Sequence, residues 1–275
     1  GKRSFSELPK EKVARIVRPF ILRRLKSDVL RELPEKIESV HPSELSLEQK
    51  KLYLAYLEQM QSEVARDLAS DDGFRRHRMK ILAGLTRLRQ LCCHPSLFLE
   101  GYEGTSGKLE QLLELADEVR GSGGRMLVFS QFTSMLELIR KELDERGLSY
   151  FYLDGSTPSA RRLEMCDAFN AGERDLFLIA LKAGGTGLNL TGADTVVLFD
   201  LWWNPAVEQQ AADRAHRIGQ KKVVQVIKLV ARGTIEEKML ELQKRKKDLV
   251  DAIIQPGETS PASLTEDDIR ELLDL

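Results

Sequence analysis

Thr195-Val196-Val197-Leu198-Phe199, followed by Asp200 to Asn204 and then Pro205 to Gln220, is the stretch on which the reading of this chain turns. A short apolar run bounded by polar residues reads as a buried strand. Asn204-Pro205 punctuates a loop, so Ala206 onward reads as a helix start. On that helix Gln210, Arg214 and Arg217 lie four and three residues apart, which puts an amide and two guanidiniums on one face. A stripe of arginines at such spacing is, taken alone, more often a solvated face or a set of surface ion pairs. What sets this one apart is its place after the fourth in a series of strands.

That series begins near Lys108. Leu109, Leu112, Leu113, Ala116 and Val119 mark a helix that stops near Gly121 to Gly124. A strand is expected at Met126 to Phe129, a helix from about Thr133 to Arg146 closed by Gly147, and a strand from Tyr150 to Leu153. After the turn Asp154-Gly155-Ser156, Thr157 is the expected N-cap of a helix to Phe169, with Pro158 at its first position. Strands at Leu176 to Ala180, Thr195 to Phe199 and Val223 to Leu229 complete the alternation. Such alternation means an α/β fold with a mostly parallel sheet and right-handed crossovers.

Residues 1–107 read as helical and irregular. Ser46-x-x-Gln49 is a capping box ahead of Leu52, Tyr53, Tyr56, Leu57 and Met60. A second helix is expected from about Met79 to Cys93, with Ile81, Leu82, Leu85, Leu88 and Leu91 inward, stopped by His94-Pro95. Pro19 to Lys26 reads as an amphipathic helix with a wet face, and Glu100 to Gly107 as a linker and domain boundary. At the other end Thr234-x-x-Glu237 caps a helix to about Ile254, with Ile235, Met239, Leu242 and Leu249 on one side. Its basic run Lys244 to Lys247 is a solvated face or a nucleic-acid contact. Thr265-x-x-Asp268 caps a last short helix with Ile269, Leu272 and Leu273. Three regions follow: 1–107, 108–233 and 234–275.

Composition bounds the function classes. The 275 residues are 42% hydrophobic and 31% charged, with a formal charge of −1 that hides basic segments at Lys10 to Arg31 and Arg75 to Lys80 and an acidic one at Glu258 to Asp274. The cysteines Cys92, Cys93 and Cys166 form no disulfide framework and point to a reducing compartment. Cys92-Cys93-His94 lacks ligand spacing and reads as buried structure rather than a metal site. No apolar run spans a bilayer and no signal peptide is evident. The chain opens at Gly1 without a methionine, which reads as a segment cut from a longer protein.

Ligands of open parallel sheets meet the carboxyl ends of the strands. Those ends are Ser130-Gln131, Asp154 to Ser156, Lys182 to Asn189 and Asp200 to Asn204. In the third, Gly184, Gly185 and Gly187 let a backbone approach an anion, and the Thr186 hydroxyl adds a donor. Tight turns need glycine too, so this loop alone does not specify an anion site. It is neither G-x-G-x-x-G nor G-x-x-x-x-G-K-[ST], so nothing here cradles a nucleoside triphosphate as a Walker loop does. No acidic pair at a strand end offers a magnesium site.

Five segments in order carry a resemblance: Leu127 to Phe132, Leu153 to Thr157, Gly184 to Leu190, Trp203-Asn204-Pro205, and Asp213-Arg214-Ala215-His216-Arg217-Ile218-Gly219-Gln220. Together they resemble the C-terminal RecA-like lobe of the SWI/SNF family, helicase-like superfamily-two ATPases that translocate on double-stranded DNA and remodel chromatin or displace bound protein. Leu22 to Lys26, Leu33 to Lys36, Leu88 to Pro95 and the helix after Thr234 extend the resemblance over nearly the whole chain. It implies a RecA-like parallel sheet flanked by helices, an N-terminal helical protrusion before Lys108, and a brace helix from Thr234 to Ile254. It also implies a two-lobed motor whose Walker motifs lie in a lobe outside this chain, so the segment alone is expected to be inactive. In that motor ATP and Mg2+ bind mainly to the other lobe, and no metal is intrinsic to this chain.

By the same resemblance Arg217, and with it Arg214, reaches across the cleft to the triphosphate, while Gln210, Gly187 and Asn189 line the nucleotide cleft. Ser130, Gln131, Gly155 and Thr186 match positions that touch the DNA backbone. Trp203 stacks or packs, and His216 is a satisfied structural histidine rather than a base. Implied partners are double-stranded DNA, the N-terminal RecA-like lobe of the same protein and DNA-bound proteins, with no membrane. The implied place is intracellular: cytoplasmic in a bacterium, nuclear in a eukaryote. Rival readings are a non-catalytic interaction module that kept the motor fold, a strand-separating helicase lobe, and a Rossmann-type transferase.

Overall fold

The computed structural model describes residues 33–69, 73–183, 187–253 and 264–275, with the backbone alone from 246 to 253. Pro19 to Lys26, Ser70 to Asp72, Gly184 to Thr186, the Leu249 side chain and Pro256 to Pro261 therefore lie outside the described residues. The strands are β1 (Lys36–Ser43), β2 (Met126–Ser130), β3 (Tyr150–Leu153), β4 (Leu176–Ala180), β5 (Thr195–Leu198) and β6 (Val224–Ala231). The helices are α1 (Leu47–Leu68), α2 (Gly73–Cys93), α3 (Gly107–Gly121), α4 (Thr133–Glu145), α5 (Ser159–Ala171), α6 (Pro205–Ala212), α7 (Ile235–Ile253) and α8 (Glu266–Leu273).

Among the described residues the sheet has six strands in the order β1-β6-β5-β2-β4-β3, and every pairing is parallel. Every residue of the inner strands β2, β4 and β5 is buried, as expected for strands covered by helices on both faces. Edge strand β3 alternates buried and half-buried residues. Phe177 of β4 packs between Phe151 and Phe169, with ring centroids 5.5 Å apart in each pair. The α/β class and the core strands agree with the sequence reading.

Residues before Lys108 are not only helical. Lys36–Ser43 forms the outermost strand and runs beside β6 from Lys36↔Val224 to Ser43↔Ala231. Its mixed sequence Lys-Ile-Glu-Ser-Val-His-Pro-Ser has no clean apolar period, because an edge strand needs backbone pairing more than side-chain burial. The same pairing draws β6 out to Ala231, past the expected end at Leu229.

A second core lies beside the sheet. Tyr53, Met60 and Val64 of α1 and Ile81, Leu85 and Leu88 of α2 are buried with Ile235, Met239 and Leu242 of α7 and Ile269, Leu272 and Leu273 of α8. Both bonds of the Ser46–Gln49 capping box form, and Gln49 Nε2 also donates to Leu91 O at 2.8 Å, tying α1 to α2. The Thr265–Asp268 box forms likewise, and Gln61 Nε2 donates to Leu273 O at 2.7 Å, docking α8 on α1. Regions 1–107 and 234–275, distant in sequence, thus share one apolar cluster.

Two helix starts and stops differ from expectation. Pro158, not Thr157, is the N-cap of α5. Asp154 takes over the preceding turn: its carboxylate accepts from Ser156 N at 2.9 Å and Ser156 Oγ at 2.6 Å, while Thr157 Oγ1 accepts from Asp154 N at 3.1 Å. Helix α6 begins as expected, with the Asn204 side chain accepting from Ala206 N, but ends at Ala212. Arg214 and Arg217 therefore sit in the turns that follow it, not on one helical face with Gln210.

Candidate nucleotide and nucleic-acid cleft

Parallel strands deliver all their carboxyl ends to one edge of the sheet, and there the candidate residues gather. The segment from Asp213 to Gln220 is held against residues 188–193. Leu190 N donates to Arg214 O at 3.0 Å, and Gln220 Nε2 donates to Thr191 O, Ala193 O and Ala215 O at 3.2, 2.8 and 3.0 Å. These bonds override the helical preference of an Ala- and Arg-rich sequence and turn the chain away from α6. Gly219, at φ 101°, completes the turn in a conformation that other residues rarely adopt.

Arg214 lies with its guanidinium over the Phe129 ring, 5.6 Å from the centroid, and its Nε and Nη1 are buried without a partner among the described residues. Burial pushes this group down to about 10, opposed weakly by Cys166, so the charge is intact at neutral pH but under-satisfied. Arg217 is half-buried and spends one donor, Nη1, on Leu188 O at 3.3 Å. Gln210 and Asn189 are exposed, and Asn189 O accepts from Asn170 Nδ2 at 2.9 Å. Gly187 is exposed with φ 90°, so its glycine serves the backbone turn. A guanidinium with donors left unpaired is a group that can take up the oxygens of a multiply charged anion such as a triphosphate. Among the described residues no group of three or more His, Cys, Asp or Glu side chains could hold a metal ion.

The residues expected to face DNA divide. Gly155 is exposed at the turn after β3, while Thr186 lies outside the described residues. Ser130 is 1% exposed and its hydroxyl donates to the Asp200 carboxylate, so the side chain faces inward. Gln131 is half-buried, its backbone N–H donates to Asp200 Oδ1 at 3.2 Å, and its Nε2 has no partner among the described residues. His216 Nε2 lies 2.8 Å from Pro34 O, the satisfied setting expected of a structural histidine. Cys92 and Cys93 are buried, and burial raises both thiols well above their usual range.

Sequence reasoning missed the polar groups behind this edge. Asp200, at 3% exposure, is pushed up to about 6 by burial, against the opposing effect of Arg89 and the bond from Ser130. Lys108 is buried at 2.5 Å from Glu236 and donates to Phe199 O at 3.0 Å. Glu208 Oε1 accepts from Trp202 N at 2.7 Å and Gln243 Nε2 at 3.0 Å, and its other oxygen meets Lys228 at 2.8 Å. The one signal available beforehand was a charged residue interrupting an apolar run, as at Asp200 after Phe199.

The chain matches two family models: one described as the helicase conserved C-terminal domain, over residues 107–219, and one as the SNF2-related domain, over residues 6–97. It is 40% identical over 268 residues to the putative ATP-dependent helicase/translocase YwqA of Bacillus subtilis (strain 168), covering 94% of this chain and 28% of that protein. It thus spans less than a third of the length of that relative. Among solved structures it resembles the Sulfolobus solfataricus SWI2/SNF2 ATPase core in complex with dsDNA, at 33% identity and a TM-score of 0.70 over 97% of this chain and 56% of that one. It also resembles the Sulfolobus solfataricus SWI2/SNF2 ATPase C-terminal domain, at 30% identity and a TM-score of 0.67, covering 86% of this chain and 98% of that one. With the motifs, the RecA-like sheet and these matches in agreement, the chain belongs to the SWI/SNF family of SNF2-related, helicase-like ATPases and corresponds to its C-terminal region.

Proposed function

We propose that this chain is the second lobe of an ATP-dependent translocase on double-stranded DNA, completing a nucleotide site whose phosphate-cradling loop belongs to another lobe of the same protein. The observation that carries the reading is Arg214, charged and desolvated over Phe129 with two donors unspent, three residues before Arg217 in the sequence. Magnesium ATP supplies the phosphoanhydride whose hydrolysis drives the cycle. Arg217 and Arg214 offer planar forks to charge that develops on the transferred phosphoryl group, and Gln210, Gly187 and Asn189 line the same cleft. On the DNA side, Gly155, Gln131 and the Thr186 hydroxyl contact phosphates, with Ser130 acting from behind through Asp200. Such contacts fix register without reading sequence, which a translocase requires. Two neighbours support this: a protein named helicase/translocase and an ATPase core solved with dsDNA.

The test is Arg217→Ala in the two-lobed protein. Single-turnover hydrolysis with DNA should fall by roughly a thousandfold or more, while nucleotide binding stays nearly unchanged, because such a residue acts where charge develops in the transition state. Arg217→Lys should restore little, since an ammonium lacks the bidentate fork. Robust hydrolysis by this chain alone, sensitive to Arg217→Ala, would overturn the reading.

A further inference from the structure

Arg89 is the largest fully buried side chain of α2, and no role in nucleotide or DNA contact accounts for it. A guanidinium at 1% exposure is expensive to keep unless it holds something in place. Its surroundings show what it holds. Arg89 Nη2 donates to Leu201 O and lies 3.9 Å from Asp200 Oδ1. The Phe132 ring, from the loop after β2, lies 5.7 Å from its guanidinium carbon, and the Trp203 ring, from the loop after β5, lies 5.2 Å away. Asp200 in turn takes the Ser130 hydroxyl and the Gln131 backbone N–H. One side chain of the helical hairpin thus joins two strand-end loops through an ion pair, a carbonyl bond and two aromatic faces. Removing it takes the paired cation from the buried Asp200 carboxylate and leaves the Phe132 and Trp203 rings without their shared partner.

We propose that Arg89 is a positioning residue which, through Asp200, sets the Ser130–Gln131 loop for duplex contact, so that the helical hairpin α1–α2 is coupled to the DNA-facing edge. This rests on the proposed DNA contact of Gln131. Lysine cannot replace Arg89, because a compact ammonium lacks the planar face that lies against the Phe132 and Trp203 rings. The coupling is mechanical: Gln131 is placed by its own backbone bond to Asp200, and Asp200 by Arg89.

The experiment uses this chain with a fluorescein-labelled duplex of arbitrary sequence at fixed salt, reading anisotropy, melting temperature and amide exchange at Gln131. Gln131→Ala, the charge-neutral pair Arg89→Met/Asp200→Leu, and the three changes combined are compared. Both the single and the paired variant should weaken duplex affinity by about tenfold, the worth of one or two hydrogen bonds. The combined variant should be no weaker than either, and Gln131 amide exchange should quicken in the pair variant while β2 stays protected. If the pair variant fails to fold, Arg89→Lys, which keeps the charge, should show the same loss. Wild-type affinity in a folded pair variant, with Gln131→Ala still weakened, overturns the positioning role and leaves the DNA reading standing. Unchanged affinity in Gln131→Ala removes the DNA reading instead. Amide exchange then decides for the clamp if Gln131 quickens in the pair variant and against it if it does not.

Discussion

At the scale of single residues, Arg214 is a site where function and stability pull apart. Its guanidinium is desolvated, it rests on Phe129, and two of its donors find no acceptor among the described residues. A buried unmet donor costs about 1–3 kcal/mol, more than the ~1 kcal/mol an aromatic face returns. Arg214→Met, similar in length and free of donors, should therefore raise the unfolding free energy of this chain by about 1 kcal/mol in a urea titration. In the two-lobed protein the same change should depress hydrolysis. A loss of stability on replacement would mean that the guanidinium is structurally employed, and the cleft assignment would lose its main support.

At the scale of elements, helix α6 shows tertiary bonds ending what local preference would continue. Ala211, Ala212, Arg214 and Ala215 favour helix, yet the chain leaves it at Asp213. Gln220 is the agent, because one buried amide meets the carbonyls of Thr191, Ala193 and Ala215 while its own oxygen accepts from Lys221 N and Lys222 N at 2.9 Å each. Gln220→Ala deserts three carbonyls, at a net cost of roughly 1 kcal/mol for each bond. A destabilisation of about 2–3 kcal/mol is expected by chemical denaturation, with Arg214 and Arg217 displaced together. A change below about 0.5 kcal/mol would show that the turn holds without this side chain.

At the scale of the whole molecule, two cores are joined by buried charge. Lys108 opens α3, which packs on the sheet, and Glu236 stands in the first turn of α7, which belongs to the second core. Both side chains are fully buried, 2.5 Å apart, and Glu236 Oε2 also accepts from Ala231 N at 2.8 Å. Burial works to lower the Lys108 ammonium, but the charge and hydrogen bond of Glu236, with Cys93 and Cys92 beside it, together hold it above its usual value. Breaking such a pair from one side is costly, about 3–5 kcal/mol, because the remaining charge is stranded. Lys108→Met should therefore destabilise by that order, and Lys108→Met/Glu236→Leu should recover most of the loss. Equal destabilisation in the single and double variants would show that the two cores are held by packing alone.

Much of this was legible beforehand, for physical reasons particular to each element. Strands β2, β4 and β5 announce themselves because a strand covered on both faces must be apolar throughout, and the capping boxes at Ser46 and Thr265 because their bonds span only three residues. The ordered motifs from Leu127 to Gln220 carried the family for the same reason: the chemistry of each is local in sequence. What the linear chain could not decide was anything whose partner lies far along it. Strand β1 is defined by the backbone of β6, which its side chains do not encode. The end of α6 is decided by carbonyls of residues 191 and 193. The inward turn of Ser130 and the burial of Arg89 depend on Asp200, 70 and 111 positions away by number, and a local period carries no trace of such a bond.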